Sequence, residues 1–286
     1  MQDYVIFTDT GADMPGSILK KYDIREIPLK CFMKDEPEQT VELRGKAFYD
    51  ALREGKVACT SAANISVFRD AFTEVLKQGK DILYITISSG LSCMSANGRL
   101  AADELMEEYP DRKIRVVDSL GVTLGEALLC QLTAEKRAAG LSLDEAAAYA
   151  EENKLCMTHW FTVEDLVYLK RGGRLSAVSA FAGTLLGIKP LITVDTEGKL
   201  DAVEKQRGRN NSILSLLQHY DTECADRSVP VYIAHADALE TAEQLSETLI
   251  KEHGVKETVI GELGPIIGAH TGPGLIGLFF FGAPRA

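Results

Sequence analysis

The segment DILYITIS, residues 81–88, is apolar from Ile82 to Ile87 except at Thr86, and is flanked on both sides by amphipathic stretches. A strand with one face in water alternates polar and apolar residues, so a strand without that alternation is covered on both faces. Helices supply that cover, and the segment therefore predicts a parallel sheet with helices above and below. The rest of the N-terminal half repeats the theme. YVIFTD reads as a strand, followed by a short helix in PGSILKKYD with proline near its start. IREIPLKCF reads as a second strand, and GKAFYDALREG and SVFRDAFTEVLKQG as amphipathic helices, each closed by a glycine. A helix over 97–108, the strand KIRVVDS and a helix over 122–139 extend the βαβ series.

A division is expected between residues 140 and 160, where the alanine-rich helix LSLDEAAAYAEENKL gives way to the strand CMTHWFTV. Beyond it the pattern is mixed. PLITVDTEGKLDAV reads as a hairpin turning at Glu197-Gly198, and VPVYIAHA, a helix over 238–253, TVIGELG and GLIGLFFFG follow. The expected fold is α/β in two domains packed face to face. Residues 1–155 form a three-layer α/β/α unit on a parallel sheet, and residues 156–286 form a mixed-sheet unit. A short segment near 60–80 crosses between them. Clefts between such units are common ligand sites.

With 45% hydrophobic and 26% charged residues, the 286-residue chain has the make-up of a soluble globular protein. A net charge of −11 argues against a nucleic-acid partner. The longest strongly apolar run, LIGLFFFG, is strand-sized, so no integral membrane segment is expected. The first residues lack a basic region and a cleavage site, and no secretory signal is read there. Cysteines 31, 59, 93, 130, 156 and 224 are scattered without a C-x-x-C pair, which predicts reduced thiols in a cytoplasmic protein and no metal site.

Asp9-Thr10-Gly11 spells the motif of an aspartic protease. That chemistry needs two such carboxylates sharing a proton, in an all-β setting. One copy in a helix–strand chain excludes it. Asp9 instead ends the first strand, on the functional rim of an open α/β sheet, or caps the next helix.

Other strand ends are rich in small polar residues: Thr60 and Ser61; Ser88, Ser89 and Ser92; Asp118 and Ser119. Each alone suits helix capping. Together they predict a rim of neutral hydroxyl donors able to hold a carboxylate or phosphate without a metal. His270 lies in the glycine-rich stretch GAHTGPGLIG, expected as a turn before the last strand. Of the other histidines, His253 reads as a solvated helix residue and His235 as functional or structural. The formal G-x-G-x-x-G at Gly272, Gly274 and Gly277 lacks the helix and acidic residue of a dinucleotide site. YLKRGGRLSA concentrates Lys170, Arg171 and Arg174 on an acidic protein, as a solvated turn, an anion clamp or a docking site. Lys205, Arg207 and Arg209 follow, and the sequence has no phosphate-cradling G-x-x-x-x-G-K-[ST].

Along nearly its whole length the chain resembles the DegV family of bacterial fatty-acid-binding proteins. TDTGADMP stands for the family's TDS-x-A-D-L-P, TSAAN for T-S-x-P and ISSGLSCMSA for S-S-x-L-S-G-T-Y-Q-S. VVDS, TVEDLVYLKRGGRLS, LLGIKPLITVDTEGKL, QRGR and IGAHTGPGLIG follow in the family's order. The resemblance implies a long-chain fatty acid enclosed between two domains, its carboxylate met by Thr60 with Ser61, Ser92 and His270. It implies a non-enzymatic, monomeric protein that presents the lipid to an ATP-dependent partner kinase, the acyl phosphate feeding phospholipid synthesis. Arg207 then corresponds to the arginine linked to phosphoryl transfer, and Arg171 and Arg174 to the partner-facing segment. No cofactor beyond the bound lipid is implied. The segments FAGTLLGI and LIGLFFF are candidate tunnel walls. Ala63 replaces the family's proline, and Cys93-Met94-Ser95-Ala96-Asn97 replace G-T-Y-Q-S, both beside the proposed head-group site.

Two other functions compete. A serine hydrolase would use Ser92 as nucleophile, His270 as base and Asp118 to orient it, although Met94 crowds the second glycine of the nucleophile elbow. A binding protein or sensor for another small carboxylic acid is the second.

Overall fold

Pro28 decides the first departure from the expected pattern. In the computed structural model, which describes residues 3–175 and 187–285, IREIPLKCF is two strands in two sheets. Proline has no N–H for a ladder, so the run breaks there. The chain opens with β1 (Tyr4–Asp9), α1 (Gly16–Tyr22), β2 (Ile24–Ile27), β3 (Lys30–Met33) and β4 (Glu36–Thr40). It continues through α2 (Gly45–Arg53), β5 (Ala58–Ser61), α3 (Ile65–Leu76), β6 (Asp81–Thr86) and α4 (Met94–Glu108). Next come β7 (Ile114–Asp118), α5 (Leu124–Ala138) and α6 (Leu143–Asn153).

The sheet β2-β1-β6-β7 is parallel throughout. Helices α3 and α4 pack together on one side of it, and α1, α5 and α6 on the other. β1 and β6 are buried along their whole length, as the lack of alternation requires. Sequence caps set several helix starts: Asn64 accepts the N–H of Val67 at the head of α3, and Ser142 and Glu145 form a reciprocal capping box on α6. A separate antiparallel sheet, β4-β3-β5, stands beside this unit.

A 3₁₀ turn at Lys154–Cys156 leads into the second sheet. There β8 (Met157–Thr162), α7 (Val167–Gly172), β9 (Ile188–Val194), β10 (Leu200–Arg207), α8 (Arg209–Glu223), β11 (Val231–His235), α9 (Leu239–Glu252), β12 (Thr258–Glu262), α10 (Pro265–Thr271) and β13 (Ile276–Phe281) follow. The sheet order is β10-β9-β8-β13-β11-β12, antiparallel except for the β11–β12 pair. α8 and α9 pack against this sheet. α5 touches β8, β11 and β13 of this sheet as well as β1 and β6 of the other. It is therefore a shared layer, buried continuously from Leu124 to Ala134, and one apolar core runs from Tyr4 to Phe279. We propose that the division between the two units falls at Cys156. The expected hairpin turns at Asp195–Lys199, where the N–H of Asp195 donates to the carbonyl of Lys199.

Candidate ligand-binding site

Loops at the carboxyl ends of β6 and β7 converge on an apolar cavity of about 110 Å³ between the two sheets. A single water needs about 10–15 Å³ in the same measure, so the space is not an ordinary packing defect. Ile87, Leu91, Ser92 and Cys93 enter from the loop after β6, and Val122 and Thr123 from the loop after β7. Leu29, Thr60 and Ala62 come from the β3–β5 side, and Leu169 and Arg174 from α7 and its end. Ile266, Ile267, His270 and Thr271 come from α10, and Phe161, Leu200, Leu275 and Phe279 from the second sheet. Gly277 lets Phe161 and Phe279 close together behind the site: a Cβ there would lie 2.9 Å from that of Phe161. LIGLFFF thus contributes Leu275 and Phe279 to the wall. Residues 181–186 of FAGTLLGI lie outside the described residues.

The polar end is built on one contact. Thr60 Oγ1 and His270 Nε2 are 2.7 Å apart, across 210 residues of sequence. Strand alternation explains why only one of the paired hydroxyls takes part: in β5, Thr60 faces the cavity while neighbouring Ser61 is exposed on the other side. Ser92 also lines the cavity. Its N–H donates to the carbonyl of Ser88 at 3.0 Å. His270 sits in the last turn of α10 rather than in a loop, because Pro265 begins a helix that ends at Gly272. Burial, aided by the nearby Arg174 guanidinium, lowers its pKa to about 4, so the imidazole is neutral at neutral pH. Its Nδ1 is buried without a hydrogen-bond partner.

The three arginines separate. Arg174 lines the cavity, donating through Nε to Leu91 O at 3.2 Å and through Nη1 to Gly172 O at 2.6 Å. Arg171 is exposed, its guanidinium 5.7 Å from the centre of the Tyr168 ring. Arg207 is exposed at the end of β10, outside the cavity wall. Its carbonyl accepts from Asn211.

The hydrolase constellation is not assembled. His270 bonds Thr60, its Nδ1 meets no carboxylate, and Asp118 Oδ1 accepts the N–H groups of Ser89 and Leu120, both at 3.1 Å. Asp9 is likewise consumed by structure. It is fully buried and accepts from Gly11 N–H, Ile87 N–H and the Tyr84 hydroxyl, while burial pushes its pKa up to about 6. His235 accepts the N–H of Ala238 in its own turn.

Thr123 of the cavity wall escaped sequence reading, and so did two sets of contacts. Gly172 faces His270 so closely that a Cβ there would lie 2.3 Å from Nδ1. The Gly-Gly pair of KRGGRLS is the only trace of this. The two departures from the family pattern also meet: Ala63 N–H donates to Met94 Sδ at 3.2 Å, and Asn97 Nδ2 donates to Ala63 O at 2.7 Å. A proline at 63 would lack the first bond.

Among the described residues no cluster of side chains suited to a metal ion occurs, and no helix is long and apolar enough to cross a membrane. The model of the family described as "Uncharacterised protein, DegV family" matches residues 3–283. A DegV domain-containing protein of Clostridium perfringens is 41% identical over 99% of this chain and 98% of its own. Among solved structures, a lipid-binding protein of Thermotoga maritima superposes with a TM-score of 0.84 at 28% identity, covering 99% of this chain and 100% of that one. A fatty-acid-binding protein of Thermus thermophilus superposes with a TM-score of 0.85 at 27% identity, with the same coverage.

Proposed function

Since the chain belongs to the DegV family, we propose that it holds a long-chain fatty acid in the cavity between its sheets and presents the carboxylate to a partner kinase. The observation that carries this reading is an apolar cavity whose polar end is the Thr60–His270 pair. Relatives of the same fold are described as binding lipid or fatty acid.

A carboxylate leaving water needs donors, and an unpaired one is expelled. Thr60 and Ser92 offer hydroxyl hydrogens, and the neutral His270 can turn Thr60 toward the ligand. With the proton on Nε2, the imidazole donates to Thr60 Oγ1 and frees the Thr60 O–H for a carboxylate oxygen. Neutral donors hold the head group without the cost of a buried ion pair, which leaves its oxygen nucleophilic. The tail supplies affinity at roughly 0.8 kcal/mol per buried methylene. In the reaction we assign to the partner, a carboxylate oxygen attacks the γ-phosphorus of ATP. The bond to the β-phosphate oxygen breaks, and acyl phosphate and ADP result. Exposed Arg207 and Arg171 would face that partner, and acyl phosphate would feed phospholipid synthesis.

Solvent extraction and mass spectrometry of the protein purified from a bacterial host tests the binding step, with near-stoichiometric fatty acid expected. A non-lipid acid in its place would favour the small-acid sensor. The presenting role predicts that Arg207→Ala keeps its lipid but no longer supports ATP-dependent acyl phosphate formation in the presence of the kinase. Loss of lipid from that variant would overturn the assignment of Arg207.

A further inference from the structure

Asp13 joins two walls of the cavity from outside it. Its Oδ1 accepts the N–H of Gly264 at 2.8 Å, the residue that caps α10 and so sets where His270 lies. Its Oδ2 accepts the hydroxyl of Thr123 at 2.8 Å. Thr123 lines the cavity with Thr60 and His270 and heads α5. Both residues have left-handed φ angles, 48° for each. For a β-branched threonine this is a strained conformation, kept only where the surroundings impose it. Here the Asp13 carboxyl and the bond from Thr123 N–H to Gly11 O (3.0 Å) impose it. The Thr123 side chain makes no capping bond to α5, so capping does not explain the strain.

We propose that Thr123 is a further head-group donor and that Asp13 is the positioning residue that aims it, according to whether Asp13 carries a proton. As a carboxylate, Asp13 takes the Thr123 hydroxyl hydrogen for itself. As a neutral acid it donates from Oδ2 to Thr123 Oγ1, and the threonine's own hydrogen turns to a ligand oxygen in the cavity. Oδ1 keeps the Gly264 N–H in both states, so α10 and His270 stay in place. This deepens the fatty-acid reading and rests on it.

The surroundings favour the neutral acid. Burial, above all, pushes the Asp13 pKa up to about 8, against the hydrogen bonds from Gly264 and Thr123, which favour the carboxylate. Glu26 on β2 raises it further and Arg44, before α2, opposes. Glu126 on α5 and Tyr49 on α2 also feel the Asp13 charge. Asp9 on β1 acts on Glu26 and Glu126. Asp9 and Glu26, with pKa values of about 6 and about 7, titrate in the same range. A comparison that changes Asp13 alone therefore separates its contribution.

Asp13→Asn supplies that comparison. An asparagine whose Oδ1 accepts from Gly264 and whose Nδ2 donates to Thr123 mimics the neutral acid at every pH. The probe is cis-parinaric acid, titrated by fluorescence from about pH 6 to pH 9 into lipid-stripped wild type, Asp13→Asn and Thr123→Val. In wild type the Kd is expected to rise several-fold with pH through about pH 8 and then level off, the ceiling being the loss of the Thr123 donor. In Asp13→Asn that part of the rise should vanish while tight binding persists. Thr123→Val should bind several-fold more weakly at pH 6 and also lose the rise. An Asp13→Asn profile matching wild type overturns the proposal. So does a Thr123→Val profile that keeps the full rise, which would mean that plain charge repulsion is at work. If wild type takes up no fatty acid at any pH, the fatty-acid reading itself falls and the proposal with it.

Discussion

Gly172 lies directly against the ring of His270, with 2.3 Å between Nδ1 and the point where an alanine Cβ would be. No side chain fits there without moving the imidazole away from Thr60. Gly172→Ala is expected to lower fatty-acid affinity tenfold or more, about 1.4 kcal/mol, in a fluorescence displacement titration. Gly173→Ala is the control. Its Cβ would meet open space, but its φ of 67° disfavours any side chain. That substitution should cost about 1 kcal/mol of stability and leave affinity unchanged. Equal affinity in wild type and Gly172→Ala would show that the imidazole position does not matter to binding.

The Thr60–His270 contact makes a second prediction. Thr60→Val keeps the shape and removes the donor, so a bound carboxylate and Nε2 both lose a partner. A loss of about 1–2 kcal/mol, roughly tenfold in Kd, is expected, with Thr60→Ser restoring most of it. Ser61→Ala should bind like wild type, because Ser61 is exposed on the far side of β5. A larger effect at 61 than at 60 would invert the orientation of this strand.

How far the sequence anticipated this site follows from the range of each interaction. The layered α/β fold was legible because burial on both faces of β1 and β6 leaves a local pattern. Thr60, Ser92 and His270 were legible because they stand in short motifs. Ser61 entered beside Thr60 because a motif does not say which of two adjacent strand residues points inward. His270 was expected in a turn, since the glycines around it outweighed the helix-starting Pro265. Asp13, Thr123 and Gly172 act through partners more than 90 residues away, and their local sequence shows only turn chemistry. β4, exposed along its whole length, has no buried face to betray it.

His219 supplies a pH test away from the cavity. It stacks on Trp160 with ring centres 3.5 Å apart and bonds Glu204 and Glu223, each at 2.7 Å. Burial pulls its pKa down, but the two carboxylates outweigh it and hold the group above 6.5. A histidine raised in the folded state stabilises fully below its unfolded pKa, and that contribution fades as pH rises through the folded value. Wild type should therefore lose melting temperature relative to His219→Gln as pH climbs from about 6 to about 8. Parallel melting curves across that range would sink the assignment.

His159 makes the opposite kind of contribution. Fully buried, with a pKa lowered to about 3, it stays neutral, and its Nε2 accepts the N–H of Val122 at 3.2 Å. An alanine at Gly125 would place its Cβ 2.1 Å from that nitrogen. Gly125→Ala should cost about 1–3 kcal/mol, as overpacking does, and lower the melting temperature by roughly 2–4 °C for each. A variant as stable as wild type would mean that the His159 ring or the first turn of α5 yields freely.

Arg285 ties the end of β9 to the loop after β7. Its Nη1 donates to the carbonyls of Val194 and Asp195, both at 3.1 Å, and its Nη2 to Leu120 at 2.8 Å and Lys154 at 3.5 Å. Val194 and Asp195 begin the β9–β10 turn, and Leu120 belongs to the loop that carries Val122 and Thr123. The same turn rests on the loop of Ser92: Ser88 Oγ donates to Gly198 O at 2.7 Å, and a Cβ at Gly90 would strike the carbonyls of Glu197 and Gly198. Burial lowers the guanidinium pKa to about 10, so it remains charged at neutral pH. Charged hydrogen bonds of this kind contribute about 1.5–3 kcal/mol. Arg285→Ala is expected to lower the melting temperature by several degrees. Because the turn runs directly into Leu200 of the cavity wall, loosening it should also speed fatty-acid dissociation in a stopped-flow transfer to vesicles. Arg285→Lys should do nearly the same, since one ammonium cannot span carbonyls that the planar fork reaches together. A lower melting temperature with unchanged dissociation would confine Arg285 to stability. Unchanged values of both would mean that the turn is held by Ser88 alone.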